Sequence, residues 1–260
     1  MKKTFSMMAA AAMLAIAMTA CASVPPNTVH TADDLVNKTI GCQLGTTGYV
    51  FAGDVEGATV DPYNKGADAV QALKQGKVDA VIIDSEPAKV FVEKNDTLQI
   101  LPDPFVEEEY AIAYKKGNDE LGNKIDAALT QLKEDGTLAE ITTHWIGDNA
   151  DFVSYTPDES VSRDNGKLVM ATNAEFPPYE SIVNGKIVGI DVDMMQAVCD
   201  VLGMELVIEN MEFGSIIAAV DSGKADVGVA GLSVTPDREK NVSFTQGYAV
   251  STQVIIVRKD

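Results

Sequence analysis

Short apolar runs recur along the chain, each followed by a stretch whose apolar residues return every three or four positions. Thr39 to Leu44 (TIGCQL), Thr59 to Tyr63 and Lys77 to Ile83 have the character of strands, whereas residues 65–75, with Ala67, Val70 and Leu73 on one face, and 86–94 repeat as helices. Leu98 to Pro104 and Tyr110 to Tyr114 are predicted extended, on either side of the acidic run Glu107-Glu108-Glu109. Leu121 to Glu134 carries Ile125, Leu129 and Leu132 on one side and closes at Asp135-Gly136, and Thr137 to Trp145 is a second helix. Beyond an aperiodic stretch, Leu168 to Thr172 is a strand, Asn184-Gly185 a hairpin turn, 193–202 a helix and Glu205 to Ile208 a strand. Ser215 to Ser222 is a helix and Ala225 to Ala230 a strand, with Val242 to Thr245 and Thr252 to Val257 as further extended segments. Strands alternating with helices predict an α/β fold.

The pattern comes twice. Gln71 to Val81 and Ala218 to Gly228 both read as a helix end, a Gly-Lys-small-Asp turn and a strand. Each strand then delivers chemistry at its carboxyl end, where α/β folds place ligands: Asp84 in one case, Gly231 to Arg238 in the other. Two similar lobes facing each other is the simplest architecture.

In the second of these sites, Ala230 to Arg238, a small-residue turn uncovers backbone N–H groups, Ser233 and Thr235 add hydroxyls, and Arg238 offers a planar fork to a carboxylate. The same residues also read as a plain helix start, with Thr235 as N-cap and Pro236 at the first position. Gly45-Thr46-Thr47-Gly48, between a strand and a helix, is a second anion-binding candidate; no Gly-Lys-Ser/Thr follows, so it is not a nucleotide loop. Asp84 is either a counter-charge for an ammonium group or a helix cap. Asn173 to Glu180 is an aromatic turn stiffened by Pro177 and Pro178.

Composition narrows the function. Against 20 basic residues stand 39 acidic ones, and the net charge of −19 argues against nucleic acid and anionic lipid surfaces. Lys2 and Lys3, the apolar run Met7 to Met18 and the small residues before Cys21 describe an export signal, too short to span a bilayer. Beyond Cys21 only Cys42 and Cys199 remain, expected as two buried free thiols. No metal-ligand spacing, cofactor motif or nucleophile–base pair is present, so no catalytic residue, metal or cofactor is assigned.

ATNAEFPPYES, GIDVDMMQAV, FGSIIAAVDSGKADVGVAGLSVTPDREKNVSFT and VDAVIIDSEPA together resemble the extracytoplasmic solute-binding proteins that feed polar amino acids to ABC importers. The resemblance implies a two-lobed periplasmic-binding-protein fold of type II with the ligand between the lobes, and permease subunits and a free L-amino acid as partners. It also implies that Cys21 is the lipidated cysteine of a lipoprotein, the only membrane attachment of a protein held outside the cytoplasm. The segments stand in the wrong order, however: family members begin with what is here Lys167 to Val257. The chain therefore reads as a circular permutant, with signal 1–21, tether 22–30, small lobe 31–109 and large lobe 110–260. Within the large lobe, 148–167 is a flexible linker joining the family's usual termini. On this reading the new termini open at a hinge crossing and leave one covalent crossover, hence a looser hinge.

Carried over residue by residue, Arg238 grips the ligand carboxylate with Ser233 and the Gly231 backbone, and Thr46 and Thr47 close on it from the other lobe. Asp84 takes the ammonium group, and Phe176 and Phe213 sandwich the side chain. Asn173 and Ala230 stand where relatives often have Asp and Ser, which favours a polar neutral ligand, although Glu175 could supply a charge. The alternatives are an amino-acid sensor and a dehydratase-like enzyme using Glu175 as its acid or base.

Overall fold

The structure is a computed structural model that describes residues 24–104 and 106–260; the expected signal and Cys21 lie outside them. In chain order the elements begin with β1 Thr39–Gln43, α1 Thr47–Asp54, β2 Thr59–Tyr63, α2 Gly66–Lys74, β3 Ala80–Asp84, α3 Ser85–Glu93 and β4 Leu98–Ile100. Next come β5 Val106–Lys115, α4 Asp119–Glu134, α5 Thr137–Trp145, β6 Lys167–Thr172 and a small meander of β7 Glu175–Phe176, β8 Glu180–Val183 and β9 Lys186–Val188. The chain finishes with α6 Ile190–Leu202, β10 Glu205–Asn210, α7 Ile216–Ser222, β11 Val227–Gly228 and β12 Val242–Arg258. None of these helices is long and apolar enough to cross a membrane.

The expected α/β fold of two lobes is what forms. Among the described residues one sheet runs β10-β6-β11-β5-β12-β3-β1-β2, with β4 beside β12. The parallel trio β10-β6-β11 belongs to the large lobe and β3-β1-β2 to the small one. The repeated turn does one job in both. Asp79 accepts from Thr39 N at 2.9 Å while its own N–H donates to Thr39 O, and Asp226 treats Val169 in the same way at 2.8 Å. In each lobe the aspartate thus pins its strand to the neighbour whose carboxyl end reaches the seam. The left-handed glycines Gly76 and Gly223, at φ 70° and 76°, make the turn possible.

The lobes are joined by β5 and β12, paired antiparallel from Val242 opposite Lys115 to Gln253 opposite Val106. Here the single-crossover expectation fails. β12 is 17 residues long, about 55 Å at strand rise, and its last residues pair with β3 and β4 in the small lobe. Both crossovers are continuous, so the looser hinge loses its basis, and Val254 to Arg258 belong to the small lobe by pairing. The reason is that STQVIIVR is buried almost throughout and runs continuously apolar through Val254 to Val257, as a central strand covered on both faces does. Arg258 donates to Leu73 O, Val78 O and, at 3.2 Å, Pro25 O, so the two ends of the described chain meet in the small lobe.

Other departures are local. The acidic run lies inside β5 rather than beside it, and β11 keeps only two residues of the expected strand. Residues 148–166 have no regular structure, as expected, but are not a free coil. Tyr155 Oη, Asp158 N and the Arg163 guanidinium all bond the Asp200 carboxylate on α6. Cys42 and Cys199 are buried free thiols, pushed up to about 12 by burial.

Candidate functional site

The carboxyl ends of β1, β3 and β11 face one another across the seam and enclose a pocket lined by Gln43, Thr46, Thr47, Asp84, Phe176, Phe213, Ala230, Gly231, Ser233 and Arg238. The lobes are closed on it: the free volume is about 10 Å³, room for roughly one water.

The loop after β11 is positioned by its backbone. Ala111 N donates to Leu232 O and Val234 N to Glu109 O, zipping the loop onto β5. No α-helix starts here. Thr235 Oγ1 accepts from Arg238 N, and a single 3₁₀ turn, Arg238–Lys240, follows. Part of the capping reading is therefore realised, and it serves to aim Arg238. The guanidinium is half-buried, donates to Ser233 O at 2.8 Å and to Gly45 O of the small lobe at 3.2 Å, and lies 5.4 Å from the centroid of the Phe213 ring. Burial pulls its pKa down, with Glu108 and Asp84 pushing back; an arginine stays charged throughout.

Gly231 is fixed for two reasons. Its φ is +54°, and a Cβ would stand 2.8 Å from Phe176 Cε1. The expectation that its backbone helps hold a carboxylate is corrected in one respect: the Gly231 N–H already donates to Asp191 at 2.9 Å. Behind that contact lies a buried acidic cluster. Glu180 and Asp191 are fully buried, and neither Glu180 oxygen meets a protein donor. Burial, then the charge of Asp191, pushes Glu180 well above the usual carboxylate range. Asp191 itself is pushed up to about 6 by burial.

From the small lobe, Thr46 lines the pocket and caps α1: its hydroxyl accepts from Tyr49 N and gives its proton to Gln43 O. Thr47 Oγ1 instead points across the seam to Glu108. Asp84 sits at the N-cap of α3 but its carboxylate makes no capping bond. It accepts from Tyr110 Oη and, at 3.4 Å, from Ser251 Oγ. Burial, opposed by the Tyr110 bond and reinforced by the charge of Glu108, pushes it up to about 6.

Phe176 and Phe213 both face the pocket. Tyr179 packs behind, stacked on Phe176 at 5.8 Å and edge-on to Tyr110 at 5.1 Å. Two expected residues do not line the pocket. Asn173 spends its amide on Gln43 Nε2 at 2.9 Å and on Met211 O, and Glu175 is ion-paired with Lys65 of the opposite lobe at 2.6 Å. Gln43, Glu108 and Gln253 were not expected. Gln43 could have been found, since it ends β1 as Asp84 ends β3; Glu108 and Gln253 could not, because only the pairing of β5 with β12 turns them toward the seam.

A family model, that of the bacterial extracellular solute-binding proteins, family 3, matches residues 57–148 and 168–260. Among curated relatives, the L-cystine-binding protein TcyJ of Escherichia coli (strain K12) is 34% identical over 122 residues, 46% of each chain. The ABC transporter arginine-binding protein 1 of the same strain is 38% identical over 95 residues, 36% of this chain and 39% of the relative. The chain thus spans less than half the length of these relatives. Among solved structures, the arginine-bound form of domain 1 from TmArgBP is 36% identical, covering 36% of this chain and 81% of that one, with a TM-score of 0.31.

Proposed function

The chain belongs to the bacterial extracellular solute-binding proteins, family 3, and from that premise we propose that it binds a free L-amino acid between its lobes and hands it to an ABC importer. The observation that carries this is the convergence of opposite charges on one interlobe pocket. Arg238 comes from the large lobe, Asp84 from the small one, with the hydroxyls of Thr47 and Ser233 between them and two aromatic faces beyond. An α-carboxylate and an α-ammonium group are the pair that such a dipolar site accepts. Micromolar affinity needs about −8 kcal/mol, within reach of a bidentate arginine pair, a buried carboxylate–ammonium pair and two ring contacts.

The side chain of the ligand is polar and uncharged on this reading. Glu175 is ion-paired with Lys65 and Asn173 is held by Gln43, so neither is free to meet a charged side chain. The protein works outside the cytoplasm, tethered through a lipid on Cys21, with the importer's permease subunits as its partners.

The order of segments is that of a circular permutant. Its support is threefold: the family match skips 149–167, the stretch assigned as the joint between the family's usual termini; Arg258 bonds Pro25 O; and each curated match covers less than half of the relative.

A thermal-shift panel of the twenty L-amino acids with ornithine, citrulline and cystine tests the reading, with Arg238→Ala as control. A ligand at 100 times its Kd adds about 2.7 kcal/mol of stability. One or a few polar neutral amino acids should stabilise the protein and lose the effect in the variant. No response to any amino acid refutes the function; a response to cationic ones alone refutes the neutral side chain.

A further inference from the structure

Within the acidic run, strand alternation exposes Glu107 and Glu109 and turns Glu108 inward, opposite Ser251 of β12. Its Oε2 accepts three hydrogen bonds: from Thr47 Oγ1 at 2.9 Å, Ser233 Oγ at 3.1 Å and Gln253 Nε2 at 2.8 Å. Thr47 belongs to the small lobe and Ser233 to the large one, so one carboxylate of the chain ties the lobes together. It does so with the hydroxyls that the proposed function gives to the ligand. We propose that Glu108 sets the affinity of the site by competing with the amino acid for the hydroxyls of Thr47 and Ser233.

The inference rests on the proposed function and follows from exclusion. Two carboxylates cannot share one set of donors, since like charges at hydrogen-bond separation repel. Nor can the hydroxyls serve both: each has a single proton to give, and in this structure both protons go to Glu108. Closure with Glu108 seated and closure on an amino acid are therefore alternative states of the same hinge. The apparent affinity is the intrinsic one multiplied by the fraction of molecules in which Glu108 has let go. Arg238 is left out of the exchange: it bonds two backbone carbonyls, Ser233 O and Gly45 O, and retains N–H groups for a ligand. A ligand carboxylate thus meets a guanidinium that is already aimed and must displace only Glu108 from the hydroxyls.

The test compares the full chain with Glu108→Ala and with Glu108→Gln, which keeps the size of the side chain. Small-angle scattering without amino acid reads closure directly, and calorimetric titration with L-glutamine, L-histidine, L-arginine and L-cystine reads affinity. Expected are a larger radius of gyration for Glu108→Ala and binding tighter by about tenfold, the equivalent of one charge-assisted hydrogen bond. Glu108→Gln should move in the same direction by less. An unchanged radius overturns the proposal, as does weaker binding by the variants, which would make Glu108 a ligand contact. If none of the four amino acids binds either protein, the amino-acid reading fails on its own, while the scattering still decides whether Glu108 holds the lobes shut.

Discussion

If Asp84 receives the ligand's ammonium group, binding depends on pH in a direction the structure dictates. The carboxyl is buried and pushed up to about 6, chiefly by desolvation, with the charge of Glu108 adding and the Tyr110 and Gln253 hydrogen bonds opposing. Only the ionised form pairs with an ammonium group. At pH 7 most molecules are ready, whereas at pH 5 about one in ten is, so affinity should fall about tenfold between them, or about 1.4 kcal/mol. Stability without ligand moves the other way. A pKa raised on folding means that the folded chain binds more protons than the unfolded one between about 4 and 6, so stability declines as pH rises through that window. The loss amounts to about 2–3 kcal/mol, complete by pH 7. Asp84→Asn removes the ionisation while keeping an acceptor for Tyr110 and Ser251. It should be more stable than the parent at pH 7, bind weakly, and show little pH dependence. Asp191 also titrates near 6, so the pH slope that vanishes in Asp84→Asn is the part belonging to Asp84. Calorimetry from pH 5 to 8, with urea unfolding at each pH, measures both. Affinity that is flat across this range in the parent, or an Asn variant less stable at pH 7, refutes the reasoning.

Two further expectations concern the framework. Gly231→Ala forces a side chain into the left-handed region and against Phe176 at 2.8 Å; about 1–2 kcal/mol of backbone strain and about 1–3 of overpacking should lower stability by roughly 2–5 kcal/mol. Urea denaturation checks this, and a loss below about 1 kcal/mol would mean that the ring gives way freely. If the chain is a permutant, joining Asp260 to Thr31 and opening the chain within 148–167 should return a protein with the same circular dichroism and ligand; failure to fold would refute the permuted reading.

Local pattern determined most of the elements. Apolar periodicity placed the helices and most strands to within a few residues, because burying one face is a requirement each segment meets by itself. The repeated Gly-Lys-small-Asp turn revealed two lobes before any contact was known, since Asp79 and Asp226 act on strands at fixed offsets. The strand-end rule likewise picked out Asp84 and the Gly231 to Arg238 loop. What the sequence left open depended on partners distant along the chain. Val242 to Thr245 and Thr252 to Val257 looked like two pieces, and only pairing with β5 on one side and β3 on the other makes them one strand through both lobes. That strand keeps the second crossover intact. Which acid of Glu107-Glu108-Glu109 reaches Thr47 and Ser233 follows from the same register, and a shift of one residue would have turned Glu108 outward. Asn173 and Glu175 had the right type and position for a ligand's side chain, but Gln43 and Lys65 reach them from the opposite lobe. The sequence determines which groups are available along each element; the closing of two lobes, made from distant segments, decides which of them remain free.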